Sequence, residues 1–361
     1  MRPVLRSLLA ILFAVSALPS RAQYQAELAA LLTKHAVPGM QLAVVGQKGH
    51  KVNVYSVGVR QQGLGQPVDA RTTFQAASLS KVVLAYIALR LHDRGLLDLD
   101  KPLLAYRPEP RLGTQPRAAT ITARMVLTHS AGLPNWAENP LAAGWKTSAL
   151  QLKYGPDSCW NYSGEGFVLL QQTLEHLTGK PLQTLAQKEV FGPFRMPSSS
   201  FVWRPSFGGN ASAGHDATGK PTQVRRFEEA NAGFSLLTTA ADYSRFLQAV
   251  LQGQGLKPAT AKLLRQSASP ANRCGRPATP TDPFIAWACG VGLASTSHGP
   301  ALWHWGDNGD FQGFFMAFPE TEESLVFFTN SAHGLELTDD ILRLFFGPGE
   351  YRAMQWLAEE K

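Results

Sequence analysis

The sequence predicts an α+β fold: an antiparallel sheet flanked by helices, with a mainly helical lobe inserted between its two parts. Three observations carry this. Two β-branched apolar runs near the N-terminus, 41–45 and 52–59, are separated by Gly46-Gln47-Lys48-Gly49, a hairpin signal. After Ala286 four short apolar segments, 287–293, 301–305, 311–318 and 324–329, are split by Gly, Ser, Pro and Glu clusters and read as a meander. Between these regions, residues 100–235 hold turn residues and short helical stretches but few strand patterns.

Taken in order, the chain of 361 residues opens with a leader. Arg2 and Arg6 precede an apolar run, Leu8 to Leu18, broken only by Ser16, and Ser20-Arg21-Ala22 offers a small-x-small cleavage site. The run is well short of the roughly 20 residues that span a bilayer. Residues 1–22 are therefore expected to be a cleaved signal peptide, the mature chain (23–361) to be periplasmic or secreted, and no transmembrane segment to remain. Loss of Arg2, Arg6 and Arg21 lowers the formal charge from +7 to +4, too weak and dispersed to argue for nucleic acid. An amphipathic helix is expected at 24–36, ended by Pro38-Gly39.

A helix from Ser78 to His92 is apolar on nearly every face, so it should be central and buried. In the middle region, 123–127, 166–177 and 182–190 are helical candidates. Thr239-Ala240-Ala241-Asp242 reads as a capping box, with Thr239 as N-cap and Asp242 reaching back, for a helix to Leu251. A last helix is expected at 337–346. The α/β part thus takes in about 24–99 and 236–361, and the helical lobe about 100–235. Of Cys159, Cys274 and Cys289, the latter two could pair in an oxidising compartment, a bond worth about 3 kcal/mol, with Cys159 left as a buried thiol.

The chemistry concentrates at Ser78-Leu79-Ser80-Lys81. Residues i and i+3 share a helix face, so the Ser78 hydroxyl and the Lys81 amine can meet. A serine needs a base, and a free lysine, with a pKa near 10.4, is protonated at neutral pH. Desolvation in an apolar helix lowers that value, and the helix N-terminus favours negative charge developing on Ser78. Other readings lack their residues. There is no G-x-S-x-G, no H-E-x-x-H and no zinc spacing, the nine histidines are scattered singly, and Gly290-Val291-Gly292 is only a fragment of a dinucleotide fingerprint. No metal or cofactor is called for.

The segment Phe74-Gln75-Ala76-Ala77-Ser78-Leu79-Ser80-Lys81 resembles the nucleophile region of class C β-lactamases, their esterase relatives and DD-peptidases. Met125 to Pro134, Trp160 to Phe167, Ala232 to Asp242 and His304-Trp305-Gly306, with Gly313-Phe314, follow in the order this family uses, so the resemblance spans roughly 37 to 330. It implies a β-lactamase/transpeptidase-like fold. It also implies that Tyr162 points at Ser78 and Lys81 as a proton shuttle, and that the N–H of Asp307, after Gly306, pairs with that of Ser78 as an oxyanion hole. His304 would face the leaving-group or carboxylate side of the substrate. His129 reads as structural, and nothing in the sequence shows which way Glu165 points.

Two departures stand out. Gly164 replaces an asparagine whose amide holds the lysine and contacts the substrate, and His304 replaces a lysine that supplies a fixed positive charge. A histidine is mostly neutral at pH 7. Both changes point from β-lactams towards esters or D-amino-acid-containing peptides as small-molecule substrates. The alternatives are a β-lactamase, or a penicillin- or peptidoglycan-binding protein with little turnover.

Overall fold

A computed structural model describes residues 20–49 and 51–359. Most of the expected leader therefore lies outside the described residues. Ser20 caps α1 (Arg21–Lys34) by accepting the Gln23 N–H, so the expected cleavage site falls at the start of this helix. Then come β1 (Gly39–Val45), β2 (Val52–Gly58), β3 (Phe74–Gln75), α2 (Ser80–Asp93), α3 (Ala123–Leu127), α4 (Gly164–Thr178) and α5 (Leu182–Ala186). They are followed by β4 (Leu237–Thr238), α6 (Ala240–Gln252), α7 (Pro258–Lys262), β5 (Ser269–Pro270), β6 (Ile285–Trp287), β7 (Gly292–Thr296) and β8 (Gly299–Asp307). The chain ends with β9 (Gln312–Phe318), β10 (Glu323–Thr329), α8 (Thr338–Phe346) and α9 (Ala353–Ala358).

The main sheet is antiparallel, in the order β2-β1-β10-β9-β8-β7-β6-β5. The N-terminal hairpin thus joins the C-terminal meander through β1 and β10, as expected. Alternation along the strands sends side chains into two cores. Leu42, Val44, Trp303, Phe314, Met316 and Phe327 meet Leu28 of α1, Ile341 of α8 and Trp356 of α9. Ala43, Leu302, Phe315, Val326 and Phe328 meet α2, α6 and the helices of the middle region.

Between 100 and 235 the described residues form α3, α4, α5 with a π-helical extension (Gln187–Phe191), and short 3-10 turns, joined to the rest by isolated bridges such as Trp160 to Arg273. Helix α2 is buried from Ser80 to Leu89, which explains its apolar sequence. Each large apolar side chain so buried contributes about 1.5–3 kcal/mol.

The structure corrects several expectations. The segment 287–293 is not one strand, because the chain turns at Gly290 (φ 92°) between β6 and β7. Thr239 caps α6 by accepting the Asp242 N–H, but the Asp242 carboxylate does not reach back. It accepts from the Ser198 N–H and the Ser199 hydroxyl and pairs with Arg245, which ties α6 to the middle region. Helices α7 and α9 are not among those the sequence predicts. Cys274 pairs with Cys159, Cα atoms 5.2 Å apart, not with Cys289. Trp160 and Arg273 run side by side and bring the first two cysteines together. Cys289 is buried in the β6–β7 turn, its N–H donating to Leu263 O, and burial raises its thiol pKa to about 11.

Candidate active site

Ser78 sits in a 3-10 turn, Ala77–Leu79, that leads into α2. Ala77 adopts φ 47°, in the left-handed region that non-glycine residues seldom enter, and its neighbours hold it there. The Ser80 hydroxyl donates to Ala77 O (2.6 Å) and accepts from Leu236 N–H (3.0 Å). Ala76 N–H donates to Leu236 O, and the Tyr243 hydroxyl to Leu79 O. Strand β8 lies against this turn. A Cβ at Gly306 would stand 2.5 Å from Ala76 O and 3.1 Å from the Ala77 Cβ, so only glycine lets the strand approach so closely.

Lys81, one turn along, donates to Ser78 Oγ (3.1 Å) and to Gly233 O (2.8 Å). Its amine lies 4.8 Å from the Tyr162 ring centre, 5.9 Å from that of Phe167 and 6.0 Å from that of Trp136. Burial in this aromatic surround pushes its pKa down to about 7. The amine is therefore half neutral near pH 7. With one hydrogen on Gly233 O, its lone pair is available to the Ser78 hydroxyl. Ser78 itself is half-buried and so remains reachable.

Tyr162 is carried by the segment entering α4, which is tied down on both sides. Asn161 N–H donates to His129 O (2.7 Å) and its amide to Leu133 O; Ser163 N–H donates to His129 Nδ1 (3.2 Å). Upstream, Trp160 exchanges backbone bonds with Asn272 and Cys274, beside the disulfide. The His129 ring packs 4.5 Å from that of Tyr162. Burial, then the neighbouring His304 and Lys81, hold the His129 pKa well below its ordinary value. Since Nδ1 accepts a hydrogen bond, its proton sits on Nε2.

His304 lies beneath the surface, with its ring near those of Trp287 (5.7 Å) and Tyr162 (6.2 Å). Burial above all, and then Lys81, push its pKa down to about 3. At neutral pH His304 is therefore an uncharged imidazole. Its Nδ1 bonds Trp305 O (2.6 Å), which fixes the proton there and leaves Nε2 a bare acceptor. Asp307 is exposed at the end of β8, its carboxylate capping the turn through Gly309 N–H and taking a bond from Gln312. Among the described residues no cluster of three or more His, Cys, Asp or Glu could hold a metal ion.

The structure thus gathers Ser78, Lys81, Tyr162, His304 and Gly306 around one point, with Asp307 at its rim. Glu165 points away from it. It accepts two bonds from Arg111 (2.8 and 3.0 Å), one from Trp145 Nε1 and one from Ala137 N–H. Ser163 and Ser130, the nearby serines, are engaged in capping α4 and in a bond with Thr128. Sequence reasoning missed Trp136 and the Gly233 carbonyl. Backbone acceptors carry no residue signature, and Trp136 is distant in sequence from the glycines it covers.

A family model described as Beta-lactamase matches residues 24–345. Penicillin-binding protein 4 of Amycolatopsis lactamdurans is 25% identical over 343 residues, 90% of this chain and 89% of its own length. Esterase EstB of Burkholderia gladioli is 28% identical over 186 residues, covering 45% of this chain and 46% of the esterase. A D-alanine carboxypeptidase AmpC structure from Burkholderia cenocepacia superposes with a TM-score of 0.73 at 19% identity, over 89% of this chain and 98% of that one. Among the described residues no helix is long and apolar enough to cross a membrane.

Proposed function

The chain belongs to the Beta-lactamase family of serine hydrolases, and from that premise we propose that it is an exported hydrolase that forms an acyl-enzyme on Ser78 and prefers esters to β-lactams. The supporting observation is the Ser78–Lys81 contact of 3.1 Å, with the lysine pKa pushed down to about 7. Neutral Lys81 takes the Ser78 proton as Oγ attacks the substrate carbonyl. The N–H groups of Ser78 and Asp307 stabilise the oxyanion, a contribution worth about 10²–10³ in rate per donor. Tyr162, against the lysine, passes the proton to the departing alcohol; water then enters by the reverse path and releases the acid.

The ester preference rests on charge. Lys81 loses its charge near pH 7 and His304 is neutral, so neither gives a substrate carboxylate a fixed cation. An ester needs none, and its alkoxide leaves more readily than an amine. D-amino-acid-containing peptides are the next class, and the mature chain is taken to work in the periplasm or outside the cell.

The test is a panel of p-nitrophenyl esters, nitrocefin and D-Ala-D-Ala peptides on the mature protein, with fluorophosphonate labelling and peptide mapping. Esters should show the highest kcat/KM, Ser78 should carry the adduct, and Ser78→Ala should lose turnover. A preference for nitrocefin, or an adduct on Ser163 or Ser130, would overturn the reading. Acylation without turnover would make the protein a binding module.

A further inference from the structure

Trp136 has a place that none of the catalytic roles uses. A Cβ on Gly164 would run into its ring, and one on Gly233 would lie 2.6 Å from its Cη2. The indole therefore fills the hollow left by two glycines, one opening α4 and one supplying the carbonyl that holds Lys81. The backbone on either side is fixed. Asn135 O accepts from Gly164 and Glu165 N–H, both at 3.0 Å, and Ala137 N–H donates to the buried Glu165 carboxylate.

The ring itself is half-buried, 6.0 Å from the Lys81 amine, and packs edge-on against Phe234 (5.7 Å) and Trp145 (5.9 Å). Phe234 and Trp145 also line a cleft of about 1210 Å³, with Arg111, Gln171, Arg226 and Asn231. Trp136 thus touches Lys81 on one side and two residues of that cleft's wall, Phe234 and Trp145, on the other. Two aromatic groups flank the pair: Tyr162, its ring tilted against that of Trp305 (4.8 Å), and Trp136, edge-on to Phe234. Tyr162 serves the departing alcohol, which leaves the Trp136–Phe234 side for the acyl chain.

We infer that Trp136 is a specificity-determining residue that bounds the acyl side of the site and restricts it to short, slim acyl groups. This rests on Ser78 as the acylated residue. Removing the indole empties the space between Lys81 and the Phe234 and Trp145 rings, so longer acyl chains gain room on that side. Pocket enlargement of this kind changes discrimination by about 10–200-fold per methylene-scale contact.

The experiment compares wild type with Trp136→Ala and Trp136→Leu. It uses p-nitrophenyl acetate and octanoate, and the rate of Ser78 labelling by p-nitrophenyl methyl- and octylphosphonates, with melting temperatures recorded. The octyl-to-methyl ratio should rise at least about tenfold in both reactions. An unchanged ratio, or an equal loss for both chain lengths, in a variant that melts as wild type does would overturn the inference. Should wild type label on Ser78 yet turn over no ester, a shifted labelling ratio still supports the role of Trp136, and the ester reading alone fails. The Leu variant, which keeps apolar bulk against Gly164, covers the case in which the Ala variant does not fold.

Discussion

The backbone N–H of Ser163 donates to His129 Nδ1 at 3.2 Å, while the His129 carbonyl accepts the N–H of Asn161, so one residue holds both neighbours of Tyr162. Replacing the ring by phenylalanine keeps its tilted packing on Tyr162 and Phe167 but orphans a buried N–H, at a cost of about 1–3 kcal/mol. His129→Phe should therefore melt lower and acylate more slowly, with Ser78 still the labelled residue. A variant that acylates at the wild-type rate would show that Tyr162 is held without this bond.

That relationship marks where sequence reading stopped. The hairpin and the meander are legible as apolar runs set between turn residues, α2 because a helix buried all round is apolar on every face, and Ser78 and Lys81 because a three-residue spacing at a helix start fixes a distance. His129 could be read only as structural, since its bonds go to backbone atoms 32 and 34 residues away. The apolar run 287–293 reads as one strand because nothing in its pattern marks Gly290, which carries the turn. The Cys274–Cys289 pairing followed proximity in sequence, whereas the bridge follows proximity of Trp160 to Arg273 in space.

In the proposed mechanism Lys81 sets the pH dependence of acylation. Its pKa of about 7 means that the amine is the base above that pH and an ammonium below it. Single-turnover acylation should rise through an apparent pKa near 7, and Lys81→Ala should abolish the limb together with most of the rate. Because Tyr162 packs on the same amine, the observed value belongs to the coupled pair. Tyr162→Phe should slow acylation strongly, and the double variant should be little worse than the worse single one. Stopped-flow burst rates from pH 5.5 to 9 would check this, and a flat profile would remove Lys81 as base.

The buried imidazoles set the acid limit of stability. The folded pKa of His304 is about 3, below the 6.5 of an unfolded histidine, so between these values the unfolded chain binds the extra proton. This contribution is complete above pH 6.5 and declines as pH falls towards 3, by about 1.4 kcal/mol per pH unit for the one group. His129, also held low, adds in the same direction. Urea midpoints should fall steadily from pH 6.5 to 5, and His304→Gln should flatten the decline. An equal slope in the variant would count against the burial of a neutral imidazole.

The Cys159–Cys274 bond closes a loop spanning 115 residues of sequence and lies three residues before Tyr162. In the chain-entropy model such a loop is worth about 5 kcal/mol, an upper value. Non-reducing peptide mapping should recover Cys159 linked to Cys274, with Cys289 alkylated only after denaturation. Reduction should lower the melting temperature and slow acylation, since Trp160 then loses its covalent anchor beside Cys274. A peptide linking Cys289 to either partner would contradict this arrangement.

Gly306 offers a test of how closely β8 must approach the nucleophile. Adding one methyl there sets a carbon 2.5 Å from Ala76 O, 3.0 Å from Leu79 Cδ1 and 3.1 Å from the Ala77 Cβ, and the backbone oxygen among them cannot swing aside as a side-chain tip could. Either β8 retreats, taking the Asp307 N–H with it, or the Ala77–Leu79 turn shifts and carries Ser78 off the Lys81 amine. Both outcomes damage acylation more than binding. Overpacking of this kind costs about 1–3 kcal/mol in stability, and loss of one oxyanion donor about 10²–10³ in rate. Gly306→Ala should therefore lose kcat by that order while KM changes little, with a modest fall in melting temperature. Gly46→Ala, where a Cβ meets nothing within 4 Å, is the matched control and should behave as wild type. A Gly306→Ala enzyme with undiminished kcat would mean that the strand can yield without disturbing the turn, and that Asp307 N–H is not the second donor.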